Sequence, residues 1–355
     1  MMYQLKYVTV MIVAITLTCQ LHAQMGPQKV RIVKDPNAKK IDVFVGEKLF
    51  TTFLYPDTLE KPVLYPIAAA NGTIVTRGYP LNPRPGDPTD HPHHIGLWLN
   101  YENVNGLDFW NNSFAIPAEK KNKYGWIKTD DIRGISYKQM SDGSNAGSLS
   151  YHARWTNQQN ETLLEEATTY TFYGNNHQRF IDRVTTLKAI TDVSFTDAKD
   201  GLLGLRLAHE LQIPTKEDQK FTDDKGNVTI VKGGTDNIPN GNYLTSEGKE
   251  GNDAWSTRGN WCKVYGKMGN DSVSIAILDH PKNPNYPTFW HARGYGLFAA
   301  NPLGEKIFTN GKSAKNLQLK KGESVTFRFR IIIDDGNNTI SAADLNKDAD
   351  EFAKQ

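Results

Sequence analysis

The alternation of apolar and polar residues is clearest near the end of the chain. One parity is apolar, at Val325, Phe327, Phe329, Ile331 and Ile333, and the other is polar, at Thr326, Arg328 and Arg330. Alternate side chains of an extended strand lie on opposite faces, so this pattern predicts a strand with one buried face.

Similar short runs recur along the chain and are separated by turn residues such as Asp142-Gly143. They predict strands over residues 30–33, 41–45, 49–55, 63–67, 126–138, 148–157, 163–173, 179–189, 201–213, 261–265 and 272–279. Residues 215–253 are polar and glycine-rich, and we expect an excursion there rather than a core element. The one good helix signal covers residues 341–352, with Ser341 and Asp344 in capping-box positions. Strands without alternating helices predict an all-β fold, a large antiparallel β-sandwich with a short C-terminal helix.

The N-terminus has the features of a secretory signal peptide. One lysine precedes an apolar run over residues 7–17, and Ala23 is a small residue before an expected cleavage site at Gln24. We therefore predict a signal peptide over residues 1–23 and a single β-sandwich domain over residues 24–355. The apolar run is shorter than the ~20 residues of a membrane span, and no later run approaches that length.

The charge balance and the cysteine content restrict the classes of binding partner and the cellular location that we expect. Lysine and arginine total 41 against 39 acidic residues, without a basic stripe, so we expect no nucleic-acid partner. Cleavage would remove Cys19 and leave Cys262 alone, which excludes an internal disulfide in the mature chain. We expect a periplasmic or secreted protein without membrane insertion, which binds a small molecule or an oligosaccharide.

The densest chemistry lies in residues 90–100, where three of the nine histidines fall within four residues. The loop over residues 80–92, which includes the first of these histidines, carries five prolines and cannot be regular structure. Read as a strand, the segment directs Ile95, Leu97 and Leu99 into the core. His94, Trp98 and Asn100 then form the opposite face, while His91 and His93 lie in the loop at its mouth. A second proline-rich segment, residues 279–291, also concentrates His, Asp and Trp, and we expect the two segments to meet in space.

These segments carry a resemblance to a known family. The matching stretches are TRGYP at residues 76–80, DHPHHIGLW at 90–98, VNGLDFW at 104–110, IAILDHP at 275–281, WH at 290–291 and YGLFAANP at 295–302. In them the chain resembles the PmoA-like family of secreted bacterial proteins, labelled "methane oxygenase". The resemblance covers nearly all of the mature chain. It implies a β-sandwich similar to galactose mutarotase-like folds, in proteins associated with sugar catabolism, and it carries over no catalytic residue.

Together with what this resemblance implies, the residues favour a carbohydrate-active enzyme, a lyase, hydrolase or epimerase that acts on a sugar or sugar acid. Histidine and tuned carboxylates supply acid–base catalysis near neutral pH. The catalytic candidates are His93, His94, His291, Asp108, Asp279 and Glu210. The substrate-binding candidates are Arg77, His91, Trp98, Asn100, Trp110, His280, Trp290 and Arg293. Tryptophans would stack on sugar faces, and the arginines would bind a carboxylate or hydroxyls.

Two alternatives stay open at the level of sequence. No cofactor is required, but a divalent metal held by His93, His94, His280 and His291 would make the protein a histidine-ligated metalloenzyme. A non-catalytic carbohydrate-binding protein would need the aromatic residues alone. Convergence of His93, His94 and His291 with a carboxylate in one pocket would favour the enzyme.

Overall fold

The computed structural model describes residues 28–222, 228–231, 238–336 and 339–355. The predicted signal peptide lies outside the described residues and stays a prediction. Within the described part of the chain, no helix is both long and apolar enough to cross a membrane.

Strands are the main regular elements of the described chain. The first ten are β1 (Val30–Lys34), β2 (Lys40–Val45), β3 (Lys48–Leu54), β4 (Val63–Ile67), β5 (Leu97–Tyr101), β6 (Trp126–Gln139), β7 (Asn145–Thr156), β8 (Thr162–Gly174), β9 (Gln178–Ala189) and β10 (Val193–Phe195). The others are β11 (Gly201–Arg206), β12 (Gln219–Thr222), β13 (Val228–Val231), β14 (Asn242–Thr245), β15 (Trp261–Met268), β16 (Asp271–Asp279), β17 (Phe289–Arg293), β18 (Leu297–Asn301), β19 (Leu317–Leu319) and β20 (Ser324–Asp334). Short 3-10 helices cover Ala118–Lys123, His209–Leu211 and Gly251–Ala254, and one α-helix, α1, covers Ala342–Phe352.

Two antiparallel sheets of eight strands each form the body of the fold. The first has the order β1-β2-β3-β4-β5-β11-β18-β17, and the second has the order β14-β15-β16-β20-β9-β8-β7-β6. Their facing sides share one large apolar core. The predicted large antiparallel β-sandwich with a short C-terminal helix is therefore confirmed.

The clearest sequence pattern is confirmed in β20. Its apolar parity, from Phe327 to Ile333, lies in the core between the sheets. On the opposite face Arg330 makes two hydrogen bonds to Asp182, at 2.6 and 2.8 Å. The next element, α1, packs Leu345 and Phe352 onto this outer face, and the Ser341 hydroxyl accepts from the Asp344 N–H as the cap predicted.

Three element predictions need correction. The strand predicted over residues 201–213 ends at Arg206, and a 3-10 helix follows at His209–Leu211. The excursion over residues 215–253 contains β14, an edge strand of the second sheet. This strand contributes the fully buried ring of Tyr243 to the core. The histidine segment becomes a strand only at Leu97, since Gly96 has a φ of +55° and precedes it as a turn.

Candidate functional site

The outer face of the first sheet carries the site. Across β5, β11, β18 and β17, one row of directly paired residues contains Trp98, Gly204, Ala299 and His291. Paired residues share a face, and Trp98 and Ala299 belong to an apolar cluster separate from the core between the sheets. The row therefore lies on the side of the sheet opposite the main core.

Arg77 builds the loop that precedes β5. Its buried guanidinium donates to the carbonyl oxygens of Pro88 at 3.1 Å, Asp90 at 2.7 Å, His91 at 2.9 Å and His94 at 3.2 Å. Four carbonyls are thus held around one planar cation, which suits the fixed fork of arginine donors. Arg77, predicted to bind substrate, instead fixes the backbone of the histidine loop.

Asp90 is the centre of the buried charges. Its carboxylate accepts two hydrogen bonds of 2.9 Å from Arg206 and one of 3.1 Å from Arg77. It also contacts the Nδ1 atom of His91 in a very short hydrogen bond. Burial acts to raise the pKa of Asp90, but Arg206, the His91 hydrogen bond and Arg77 together hold that pKa well below its usual range.

An ionised Asp90 determines the tautomer of His91. A carboxylate can only accept hydrogen bonds, so Nδ1 of His91 carries the proton and donates it. In the neutral ring, Nε2 then has a free lone pair, which is the arrangement of an oriented general base. The His91 backbone has a φ of +46°, a left-handed conformation that its neighbours impose on a non-glycine residue.

The His91 imidazole is one of four nearly parallel rings that reach the sheet face at Trp98. We call these rings the four-ring stack: Tyr295, His91, His94 and Trp98. Successive ring centroids are 5.2, 4.8 and 5.3 Å apart, with angles of 2°, 2° and 20° between planes. The His91 side chain is 37% exposed, whereas Trp98 is fully buried. His91 is therefore the imidazole of the stack that solvent and a ligand can reach.

The two other histidines of the loop are buried and uncharged. Arg206 donates to Nδ1 of His94 at 3.2 Å, so that nitrogen is an acceptor and Nε2 carries the proton. Burial, strengthened by neighbouring positive charges, lowers the pKa of His93 and of His94 well below the usual range. Their burial makes His93 and His94 poorer candidates for direct catalysis than His91. From the sequence, His91 was predicted to bind substrate rather than to act in catalysis.

Two of the tryptophans that were predicted to stack on a sugar, Trp98 and Trp110, lie together on this face but are covered by other residues. Trp98 and Trp110 lie 5.0 Å apart, both with no exposed surface, and the His94 ring packs against both. Gly204 makes room for them, because a Cβ there would lie 2.4 Å from the Trp98 ring and 2.8 Å from the Trp110 ring. The predicted stacking of Trp98 and Trp110 on a sugar is contradicted, since both rings are fully buried and instead support the imidazoles.

His291 faces the same side of the sheet from its edge strand. It lies three strands from Trp98 in the same row, about 14 Å at the usual strand spacing. Its Nδ1 is 3.5 Å from the Asp200 carboxylate. Burial lowers the pKa of His291 to about 3, with the charges of Lys199 and Arg293 adding to the effect.

Asp200 and Lys61 are site residues that the sequence analysis missed. Burial raises the pKa of Asp200 to about 7. The Lys199 ammonium, 3.5 Å from the carboxylate, opposes this rise, and the charges of Glu102 and Asp108 add to it. Lys61 is buried, donates to the His93 carbonyl at 2.7 Å and lies 5.4 Å from the Trp98 ring centre. Burial lowers its pKa to about 8, against the opposing charges of Glu60 and Asp108.

The signals for these residues in the sequence were weak. Asp90 is adjacent to His91, and Arg206 ends an apolar strand as its one charged residue, so both could have been suspected. Lys61 and Asp200 stand in ordinary polar surroundings in the sequence. Their importance comes from burial, which a single sequence does not reveal.

Asp279 and His280, predicted as catalytic and binding residues, belong to the other sheet. Asp279 accepts from the Asn283 side chain at 2.7 Å and from the Thr288 N–H at 2.8 Å, so it anchors the proline-rich loop. The His280 ring packs edge-on against Phe352 of α1. Of the second segment, the structure thus brings His291 onto the site face and leaves these two residues in structural roles.

The other candidates divide between core, rim and loop. Trp290 has the opposite parity to His291 and lies in the core between the sheets, so its predicted role in sugar stacking was wrong. Asn100 is buried and donates to the Phe109 carbonyl at 2.5 Å. Arg293 lies at the rim, 5.8 Å from the Tyr295 ring centre. Glu210 is in the 3-10 helix beyond β11, where its carbonyl accepts from Asn240.

A family model described as "Family of unknown function (DUF6807)" matches residues 40–350. The chain belongs to this family. No curated protein matches the sequence.

Solved structures give distant similarities. A GH36 alpha-galactosidase from Geobacillus stearothermophilus is 11% identical, with a TM-score of 0.43 over 86% of this chain and 41% of its own. A putative aldose 1-epimerase from Escherichia coli K12 is 8% identical, with a TM-score of 0.32 over 86% of this chain and 99% of its own. A galactose mutarotase related enzyme from Lactobacillus acidophilus is 10% identical, with a TM-score of 0.32 over 88% and 100%. The chain spans less than half the length of the galactosidase.

The histidines of this DUF6807 member do not fit the predicted divalent metal site. Among the described residues, no group of three or more His, Cys, Asp or Glu side chains is arranged to hold a metal ion. Nδ1 of His94 faces the Arg206 guanidinium, and His280 belongs to the other sheet. A permanent cation beside the imidazole opposes binding of a second cation there.

Proposed function

We propose that the protein is a carbohydrate-active enzyme that acts on a sugar or sugar acid by acid–base chemistry, with His91 as the proton-transfer residue. The predicted signal peptide makes it a periplasmic or secreted enzyme in this proposal. The observation that carries it is the His91–Asp90 pair. It combines a partly exposed imidazole, a fixed tautomer and a carboxylate that two arginines keep ionised.

Each part of the pair supplies one element of proton transfer. Nε2 of His91 takes a proton from a substrate hydroxyl or from a carbon next to a carbonyl. Asp90 stabilises the imidazolium that forms, because its negative charge contacts Nδ1–H. Arg77 and Arg206 keep Asp90 from taking the proton itself, since they favour its ionised form.

Asp200 supplies a second proton-transfer group on the same face of the sheet, next to His291, whose low pKa keeps its ring neutral. The Asp200 pKa near 7 leaves this carboxyl partly protonated at neutral pH, so it can donate a proton to a ligand that reaches it. A carboxyl group that can donate a proton, on the same face as an imidazole held in one orientation, favours an enzyme over a protein that only binds sugar. A binding protein has no need of a strained histidine on a fixed carboxylate.

The test is a turnover screen over free sugars, sugar acids and their glycosides, followed by His91→Asn. Asparagine tolerates the left-handed backbone and can donate to Asp90, but it cannot accept a proton at neutral pH. We expect the variant to lose about 10²- to 10⁴-fold in kcat. The matched control is His152→Asn, since His152 is half-exposed on the second sheet and should leave kcat unchanged. A His91→Asn variant with full turnover would refute the proposal, and binding without turnover of any sugar would favour the binding protein.

A further inference from the structure

A polar groove of about 520 Å³ lies beside the site and has no role in the mechanism above. Its walls include Glu102, Asp108, Lys123, Tyr124, Lys199 and Ile307. A volume above ~300 Å³ is typical of small-molecule sites. The groove is therefore large enough to hold a ligand group of its own.

Short stretches of chain connect the groove with two parts of the site, Trp110 and the Asp200–His291 pair. Asp108 is two residues before Trp110, so their Cα atoms are within about 7 Å of each other. Lys199 precedes Asp200, the residue whose carboxylate lies 3.5 Å from His291. The Glu102 carboxylate accepts from the Asp200 N–H at 3.1 Å. A molecule at His91 and Asp200 can thus extend into the groove.

The Asp108 wall has a fixed geometry. The carboxylate accepts from the Asn111 N–H at 2.9 Å and from the Asn111 side chain at 2.8 Å. The Asp108 backbone is also joined to the opposite segment, since its N–H donates to the Lys123 carbonyl at 2.9 Å. One loop therefore carries both the groove wall and Trp110, which supports His94.

The lining suits a neutral polyhydroxyl ring. Three carboxylates, those of Glu102, Asp108 and Asp197, line the groove together with two lysines, Lys123 and Lys199, so the wall offers both acceptors and donors. A sugar hydroxyl both donates and accepts, and it can satisfy both kinds of group. Ile307 is 44% exposed and adds an apolar surface for a ring face.

The tryptophans at the histidine end of the site are covered. Trp98 and Trp110 are fully buried, and the His94 ring covers them, so a ligand meets only the outer end of the four-ring stack. One ring at His91 would leave the groove unfilled. The ligand that uses both surfaces is longer than a monosaccharide.

We propose that the groove binds the second unit of a glycoside or short oligosaccharide whose first ring lies against His91. This inference rests on the proposed function, because it extends the same site. It defines the substrate class as glycosides rather than free sugars.

The experiment compares binding of matched probes by calorimetry. The probes are free hexoses and hexuronic acids, each with its disaccharide and its p-nitrophenyl glycoside. We expect at least one glycoside to bind about tenfold more tightly than its free sugar. Ile307→Asp and Lys123→Ala should each remove most of that difference while leaving the affinity for the free sugar unchanged.

The control is Ile238→Asp, because Ile238 is 45% exposed and does not line the groove. It should leave both affinities unchanged. Equal affinities for glycoside and free sugar, or equal effects of the groove and control variants, would overturn the groove inference alone. If no sugar or glycoside binds, the proposed function fails with it.

Discussion

His93 shows how one buried residue sets a measurable property of the whole protein. Both ring nitrogens are buried and have no hydrogen-bond partner within the described structure. Burial, reinforced by the charges of His91, Lys61, Arg77 and Arg206, lowers its pKa well below 6.5. The cluster therefore tolerates only a neutral imidazole at this position.

This neutrality predicts a pH dependence of stability. Below pH 6.5 the unfolded chain binds a proton on His93 and the folded protein does not, so acid favours unfolding. The free energy of unfolding should fall by up to about 1.4 kcal/mol per pH unit from this residue as pH decreases from 6.5. We expect His93→Phe to reduce the difference in urea stability between pH 7 and pH 5. His152→Gln, at an exposed position, should not, and equal slopes in the two variants would contradict the account.

At the scale of elements, the site depends on a close approach between β11 and the tryptophan rings. Gly204→Ala would place a methyl group 2.4 Å from Trp98 and 2.8 Å from Trp110, and both rings are fully enclosed. Overpacking of this kind costs about 1–3 kcal/mol. We expect that loss in chemical denaturation. Gly134→Ala in β6 is the matched control, because a Cβ there meets no atom within 4 Å, and similar losses in both variants would show that the contact is unimportant.

At the scale of the whole molecule, the sequence predicted what local patterns determine. The apolar parity of β20 and the Ser341 cap of α1 are set by neighbouring residues, and both were recovered. The histidine cluster was also recognised, because its members are adjacent in the chain. Asp200 and Lys61 could not be recognised in this way, since their environments are created by segments far apart in sequence.

The same limit explains the misplaced residues. Asp279 and His280 repeat the Asp-His-Pro tripeptide of the first loop. Asp279, however, ends a strand of the second sheet and His280 follows it, and strand order cannot be predicted from a tripeptide. Trp290 differs from His291 by one position, and one position in a strand exchanges the two faces. The sequence thus identified the chemistry of the site more reliably than its exact members.

The central claim is that His91 transfers protons, and chemical rescue tests it most directly. His91→Gly suits the left-handed backbone and removes the imidazole, leaving a space beside Asp90. With a sugar substrate found in the screen, we predict that this variant loses turnover and that added imidazole restores it in a saturable way. Turnover by His91→Gly at the wild-type rate without imidazole would contradict the account.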